Sequence, residues 1–382
     1  MFTIQVNNQD FTQFTSANVN VSMDNFGRTL TLTCTQDQLN AFPIKIKEKV
    51  TIKIDGVSLL TGFIEKIAPT VSENDHTVGI TGRSVAADLV DSTLNNITLN
   101  APITMEDVVR TVITSLGLTL TVTTNVVGLE PFNATEIVKA KPAQNAFEFI
   151  EQYARKRQVI LLDDGDGNII LANGSGITSP YGLILGQNIL SSNTSYDYSD
   201  RFYKYIVLSQ ANPIGGQAID ADITAEPDLV KRQAIIKQKA EANEGDETTV
   251  ATQGEAIDAE IRPTRILYLE AENPSDLAEC TKRAQWELNV RKARSRSYNC
   301  SLQGHTFAQG VPVDYNKLHQ IVDGVAGIND IMLVSQVDYS ESTQGTGVAL
   351  TMVDRNSYSL QNEKPVKQAK TSTEGDDFIG AS

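Results

Sequence analysis

The chain has 382 residues, of which 40% are apolar, and its 47 acidic residues outnumber 32 basic ones to give a net charge of −15. At roughly 150 residues per domain, this length predicts two or three domains. An acidic surface repels phosphate, which argues against nucleic-acid binding. No apolar run approaches a membrane span of about 18 residues, and the first residues lack the segments of a secretion signal, so no stable membrane insertion is expected.

Residues 1–90 carry the alternating pattern of half-buried strands. Apolar and β-favouring polar residues alternate over 29–34 and again over 50–54, which is the period of a strand with one buried face. Asp55 and Gly56 follow, and Gly tolerates the positive φ that a tight hairpin turn requires. We predict that residues 1–90 form a first small β-barrel domain.

Residues 91–175 change to a helical pattern and predict a small α/β domain. Thr104 is a suitable N-cap for a helix whose apolar residues recur at helical spacing, and a second helix is expected over 143–157. The run 163–168, which contains two glycines, is typical of a β-hairpin turn between two short apolar strands.

Strands return over 176–212 and 264–356, which we interpret as a second β-barrel domain. Between them, residues 213–263 contain eleven acidic and five basic residues and predict an exposed acidic insertion. A helix is expected from Pro274 to Arg294. Residues 357–382 are polar and predict a flexible C-terminal tail. The fold class is therefore α+β and mainly β.

Two distant segments share one pattern. Pro43 precedes Val50 by seven positions, as Pro312 precedes His319, and each strand then reaches an Asp-Gly pair. Strands 62–67 and 332–337 follow, and each closing strand ends in arginine. Short strands with glycine turns can look alike by chance. If the similarity is a duplicated barrel, three chains can form a ring of six near-equivalent units.

A family similarity is carried by segments 50–56, 61–64, 82–92, 139–168 and 352–355, of which Gly-Arg-Ser-Val-Ala-Ala-Asp-Leu-Val-Asp-Ser over 82–92 is the most specific. On these segments the resemblance is to the central hub proteins of contractile phage tails, especially those of Mu-like phages. It implies a structural homotrimer in the virion baseplate, made late and assembled in the host cytoplasm. It also implies a tail tube protein, a central spike and other baseplate proteins as partners, an axial channel for genome ejection, and kinship with the base of type VI secretion spike proteins.

The residues offer little support for catalysis, so we expect no enzyme activity, no cofactor and no catalytic or metal site. A calcium loop starting at Asp164 lacks the glycine and the final acidic ligand that it needs at 169 and 175. Gly-Ser-Gly over 174–176 lacks the spacing of a nucleophile elbow. Neither the histidines nor the cysteines have metal-ligand spacing, and an odd number of cysteines fits folding in a reducing compartment; these residues are His76, His305, His319, Cys34, Cys280 and Cys300.

Two interpretations of other features stay open. The basic cluster Arg291, Lys292, Arg294 and Arg296 can serve a helix C-terminus, which favours cations, or bind nucleic acid, or meet the acidic 213–263 region of a neighbouring chain. The alternative to a hub is a virion-associated β protein that binds or cleaves glycans. That alternative needs exposed aromatic side chains, yet aromatics are 6% of the chain and the sole tryptophan, Trp286, falls in a predicted helix.

Overall fold

The computed structural model describes residues 1–35, 44–72, 76–100, 102–133, 138–157, 159–174, 176–210, 251–270 and 277–358. The described part is mainly β, as the sequence predicts. Its first twelve strands are β1 (Phe2–Val6), β2 (Gln9–Asp10), β3 (Ser16–Ser22), β4 (Thr29–Thr35), β5 (Lys49–Ile54), β6 (Val57–Val71), β7 (His76–Ser84), β8 (Thr98–Leu99), β9 (Val122–Thr124), β10 (Val138–Lys139), β11 (Ile160–Asp163) and β12 (Ile169–Ala172).

The remaining strands lie after residue 176 and the helices are spread along the chain. The strands are β13 (Ile177–Thr178), β14 (Leu183–Ile184), β15 (Ile189–Tyr196), β16 (Lys204–Gln210), β17 (Ala251–Ile257), β18 (Ile266–Glu270), β19 (Arg296–Gln303), β20 (Thr306–Ala308), β21 (Val311–Pro312), β22 (Lys317–Asp323), β23 (Ile328–Ser342) and β24 (Gly345–Asp354). The helices are a 3-10 turn (Val85–Ala87), α1 (Asp88–Asp91), α2 (Met105–Ser115), α3 (Ala146–Lys156) and α4 (Leu277–Arg294). None of the described helices has the length and apolarity to cross a membrane.

One sheet of fourteen strands contains most of the fold. Its main path runs β15-β19-β24-β23-β3-β4-β7-β6-β5-β1-β2, and β22 pairs with β23 beside this path. Neighbours on the path are antiparallel, whereas β13 and β14 run parallel to β22. A single apolar cluster packs along both halves of the sheet, from Phe2 to Met352.

Local sequence explains the predicted strands of the first half. In β4 the apolar residues Leu30, Leu32 and Cys34 are at most 1% exposed while the threonines between them face outward, so the period-two pattern becomes one buried face. Asp55 and Gly56 both have positive φ and join β5 to β6 as the tight turn requires. Both strand predictions here are confirmed.

The same strand order occurs twice in the sheet. The first unit is β3-β4-β7-β6-β5, and the second is β15-β19-β24-β23-β22. The two long strands β6 and β23 each have 15 residues, and each carries a bulge at the same point, Glu65 in one and Ser335 in the other. The segments that the sequence spacing paired therefore share strand order and register.

The α/β domain packs around its own apolar core. Thr104 is the N-cap of α2, where its hydroxyl accepts from the Asp107 amide at 3.1 Å, as predicted. Helix α3 begins later than predicted because Asn145 caps it, accepting from the Glu148 amide at 3.1 Å. Ala143, two residues before this cap, has a positive φ, which is incompatible with a right-handed helix.

A third unit consists of the sheet β17-β16-β18 and helix α4. The sequence predicts these elements to lie in the second barrel and in the acidic insertion, but the structure gives them a separate sheet and core. Tyr205 and Val207 of β16 pack against Cys280 and Ala284 of α4. Strand β17 lies within the predicted insertion, and Gly254 lets α4 approach it because an added Cβ there would sit 2.2 Å from backbone. The rest of the insertion, 213–250, and the tail from 359 lie outside the described residues.

Candidate functional site: sheet edges and a buried junction

The two units meet in a backbone seam between β3 and the second half of β23. Residues 336–342 pair with residues 22–16 in antiparallel register. Val337 faces Val21 and Tyr339 faces Val19, and all four side chains are at most 1% exposed. The seam is further held by Asn20, whose amide donates to the Asp338 carboxylate at 2.5 Å. The seam makes one continuous sheet of the two units.

Two strands of the sheet have, along at least part of their length, one backbone side that pairs with no other strand among the described residues. The second half of β6, residues 66–71, pairs with β7 on one side, and within the described residues no strand pairs with its other side. Strand β15 pairs with β19 and, in the same part of the chain, with no second strand. Exposed apolar side chains mark both edges: Val71 is 70% exposed and Tyr196 is 60% exposed. Such edges are templates for pairing with another strand.

A buried charge cluster ties the first unit to the α/β domain and to the second unit. Arg28 donates to the carbonyls of Leu59 and Asp163, both at 2.9 Å, and its Nε lies 3.5 Å from the Asp163 carboxylate. Ser84 donates to the same carboxylate at 2.8 Å. The Tyr315 hydroxyl donates to the Asp163 carbonyl at 2.8 Å and accepts from the Asp163 amide at 3.0 Å. Asp163 thus connects all three regions through its carboxylate and its backbone.

The electrostatics of this cluster suit a structural role. Burial acts to lower the pKa of Arg28, but the combined attraction of Asp163, Tyr315, Asp314 and Tyr339 outweighs it, so the pKa rises above its ordinary value. Burial also raises the pKa of Tyr315 well above its ordinary value. A general base or nucleophile needs a pKa near the working pH. A permanently charged arginine beside a permanently neutral tyrosine does not provide one.

The run after Asp163 is a turn, as predicted. Asp164 accepts from the amides of Asp166 and Asn168 at 2.9 and 2.8 Å, and its second oxygen accepts from the Asn168 side chain at 3.1 Å. Gly167 supplies a positive φ, and β11 pairs with β12 across the turn. The carboxylate is therefore engaged by its own loop. Among residues the structure describes, no group of three or more potential metal ligands comes together.

The candidate histidines separate into two environments. His305 and His319 are buried, and each donates one ring N–H to a carbonyl at 2.8 Å, of Ser340 and Tyr181 respectively. Burial lowers the pKa of both imidazoles, so they are packed in the neutral form. His76 begins β7 and is half-buried.

The cysteines add no reactive group to the described part of the chain. Cys34, Cys280 and Cys300 are buried and none is in a disulfide within the described chain. Burial raises the pKa of Cys34 to about 11 and that of Cys300 to about 12, which keeps these thiols protonated and unreactive. Ser175 lies outside the described residues.

The basic cluster at the end of α4 pairs with acids of its own chain. Arg291 donates to Glu287 at 2.7 Å, and Lys292 donates to Glu260 at 2.5 Å. Hydrogen bonds from Lys292 and Arg201 lower the pKa of Glu260 to about 2. The acidic segment does meet this cluster, but at Glu260 of the same chain. Arg294 and Arg296 also have partners, the Ser357 carbonyl and Asp330.

Sequence reasoning missed two features of this site, the seam and the Arg28–Asp163 cluster. The seam joins residues more than 300 positions apart, so no local pattern reports it. Asp163 did leave a signal: it ends the apolar run Ile160–Asp163, where the strand period places it in a buried position. A buried carboxylate requires a cation or several donors nearby.

Two family models match adjoining parts of the chain. Residues 1–84 match the N-terminal domain of the Mu phage baseplate assembly protein GpP-like family, and residues 86–173 match the second domain of the gp44-like baseplate hub proteins. These residues are therefore similar to domains of Mu-like baseplate hub proteins. The hub domains end near the α/β boundary at 173, so residues beyond it are not covered by either model.

A curated relative extends the hub match further along the chain. The baseplate hub protein gp44 of Escherichia phage Mu is 22% identical over 264 residues, which is 69% of this chain. The match spans 63% of the length of that relative.

Solved structures of tail proteins share the fold of this chain over both units. The 43 kDa tail protein of prophage MuSo2 from Shewanella oneidensis has a TM-score of 0.74 at 21% identity, covering 94% of this chain and 99% of that one. A tail protein from Neisseria meningitidis has a TM-score of 0.71 at 14% identity, with 94% and 98% covered. The E. coli c3393 protein, a component of the type VI secretion system, has a TM-score of 0.51 at 10% identity, with 92% and 76% covered. The predicted kinship with phage hubs and type VI spike proteins is confirmed at the level of fold.

Proposed function

We propose that the chain is the central structural hub of a contractile phage tail baseplate, without enzymatic activity. Three copies form a ring in which each chain contributes two similar small barrels. The ring presents six near-equivalent units to the six-fold tail tube and a three-fold face to the central spike. In this proposal the protein resides in the virion tail after assembly in the host cytoplasm.

The repeated strand order is the observation that carries the proposal. Two units with equivalent strand order, β3-β4-β7-β6-β5 and β15-β19-β24-β23-β22, lie in one sheet and are joined by the seam. A closed assembly of near-equivalent units needs the same contact repeated around an axis. A chain that already holds two such units side by side supplies one step of that repetition.

The charge of the chain supports an axial channel for genome ejection. A net charge of −15 gives a surface that repels passing DNA instead of holding it. In the α4 basic cluster, Arg291 pairs with Glu287 and Lys292 pairs with Glu260. These pairs neutralise the two cations, which are then not free to bind phosphate. The proposed partners are the tail tube protein, the spike and further baseplate proteins.

The glycan-binding alternative has less support. The sole tryptophan of the chain is Trp286, and the Arg283 guanidinium lies over its ring at 4.3 Å from the ring centroid. Stacking of a sugar needs an open aromatic face. The nearby cavity of about 800 Å³ is also lined by charged residues such as Arg201 and Glu260, which already pair with each other.

Light scattering on the full chain, combined with electron-microscopic views down the particle axis, tests the hub proposal. We expect three times the chain mass and a central opening surrounded by six lobes. A stable monomer at micromolar concentration, or a particle without a central opening, contradicts the proposal. Incubation with peptidoglycan and with host polysaccharide is the matched test of the alternative, and we expect neither binding nor cleavage.

A further inference from the structure

We infer that neighbouring copies join by strand pairing between β15 of one copy and residues 66–71 of β6 in the next. This inference rests on the proposed trimer and adds the surfaces, the strands and the residue register of the contact. It follows from applying the geometry of the seam inside one chain to the two open edges of the same sheet.

The two units can be aligned residue by residue through their bulges. Ile64 pairs with Gly82 before the Glu65 bulge, as Val334 pairs with Met352 before the Ser335 bulge. Residues 66–71 of β6 therefore correspond to residues 336–341 of β23. On the other side, β15 occupies the place in the second unit that β3 occupies in the first.

The remaining ladders fix β15 in the same alignment. Gly82 pairs with Leu30, which pairs with Val19 of β3. In the second unit Met352 pairs with Tyr298, which pairs with Thr194 of β15. Val19 and Thr194 are therefore equivalent positions. The open edge of β6 is therefore equivalent to the β23 side of the seam, and the open edge of β15 is equivalent to its β3 side. Within one chain, only β23 and β3 are paired in this way.

The seam predicts the register between copies. Because Val337 faces Val21, Ile67 of one copy is expected to face Tyr196 of the next. Pro69 then faces Thr194, and Lys66 faces Asp197, which brings opposite charges together at the end of the ladder. Pro69 lacks an N–H and removes at most one bond from this ladder, while its presence on an open edge disfavours unspecific pairing.

Exposure supports the same contact. Val21 in the closed seam is 1% exposed, whereas its counterpart Tyr196 is 60% exposed. At the other end of the ladder, Glu341 is 7% exposed and its counterpart Val71 is 70% exposed. Pairing of the two edges would cover apolar side chains that the single chain leaves in water. The contact joins two different surfaces, so repetition closes a ring when each unit turns by one sixth of a circle.

Paired cysteines test the register in the full chain. In the double variant Ile67→Cys, Tyr196→Cys, mild oxidation is expected to give covalently linked dimers and trimers that reducing agent returns to single chains. The matched control is Ile67→Cys with Ser195→Cys, in which the second thiol lies on the opposite face of the strand, and each single variant is a further control. Positions 195 and 196 are exposed, and Ile67 is half-buried at the margin of the core. Light scattering before oxidation reports the oligomer.

The outcomes separate this inference from the proposed function. Trimers that cross-link through residues 67 and 196, at a yield at least tenfold above the controls, support the inference. Trimers that form normally but do not cross-link through this pair, or that cross-link through 67 and 195 instead, overturn the inference and leave the proposed trimer intact. A chain that stays monomeric before oxidation overturns both.

Discussion

The two halves of the large sheet follow the same path with different side chains. Gly62 and Gly82 of the first unit correspond to Met332 and Met352 of the second. A Cβ on Gly62 would sit 1.8 Å from the Arg83 carbonyl oxygen, so β6 and β7 approach more closely than side chains permit. The two units therefore share strand order and the position of the bulge, whereas the residues between their strands pack differently.

The outer borders of the units differ as well. In the first unit β5 is bordered by β1 in antiparallel register, whereas in the second β22 is bordered by β13 and β14 in parallel register. The repeated strands are those that the proposed ring uses, and the strands that vary lie at its margins. Such margins suit a hub that must present different faces to different partners.

The largest expected effect lies at the cluster that both units share. Asp163→Ala leaves Arg28 buried without its carboxylate, and loss of one member of a buried pair costs about 3–5 kcal/mol. Urea unfolding measures the free energy of unfolding. The neighbouring turn variant Asp164→Ala is the control and should cost about 1 kcal/mol, the value of an ordinary hydrogen bond. Equal losses in the two variants would argue against a special role for Asp163.

Glycine substitutions test the close approach that distinguishes the first unit. Gly62→Ala is expected to destabilise by roughly 1–3 kcal/mol through overpacking. Gly79→Ala in the adjoining strand has 3.8 Å to its nearest neighbour, the Ala68 carbonyl, and should gain about 0.5–1 kcal/mol because alanine loses less backbone entropy than glycine. Thermal unfolding of the two variants should therefore shift in opposite directions. A loss in both would contradict the steric explanation.

Mild acid should weaken the second unit more than the first. Burial lowers the folded-state pKa of His305 and His319, while an unfolded histidine titrates near about 6.5. The unfolded chain then binds more protons below that pH, so stability present above about pH 6.5 falls as pH drops, by up to about 1.4 kcal/mol per pH unit per histidine.

Hydrogen exchange at pH 7.5 and 5.5 measures this effect for each unit separately. Amides of β22 and β23 should lose more protection than those of β5 and β6. The double variant His305→Gln, His319→Gln should have a smaller difference between the two pH values. An unchanged pH dependence in that variant would assign the effect to other groups.

The smallest effect is expected at the exposed charges beside the first bulge. Arg83 donates to Glu65 at 2.8 Å and also pairs with Asp91, whereas the equivalent position of the second unit is Val353. Arg83→Gln should cost less than about 1 kcal/mol because exposed ion pairs contribute little. Moderate salt should reduce the difference from the unchanged chain, which thermal unfolding with and without sodium chloride would reveal.

Local sequence patterns predicted local structure in this chain but did not predict the pairing of strands that are distant in sequence. The alternation of Leu30, Leu32 and Cys34 predicted β4, and Thr104 predicted the start of α2, because each depends on neighbours in sequence. The same reasoning placed β17 in an exposed acidic insertion, since its partner strand β16 and helix α4 are needed to explain its burial. The repeat was visible because both copies keep seven positions from Pro43 to Val50 and from Pro312 to His319, and both strands then reach an Asp-Gly turn.

The seam also has a consequence for synthesis. Strand β3 is synthesised more than 300 residues before its partner residues 336–342, so these contacts of very high sequence separation form late. Until then β3 keeps an unpaired edge on the ribosome, where nascent chains are prone to pair with one another. The synthesis of residues 336–342 thus sets the order of assembly: a chain that still lacks them has a vacant place at β3, and only a chain that has them can close the seam.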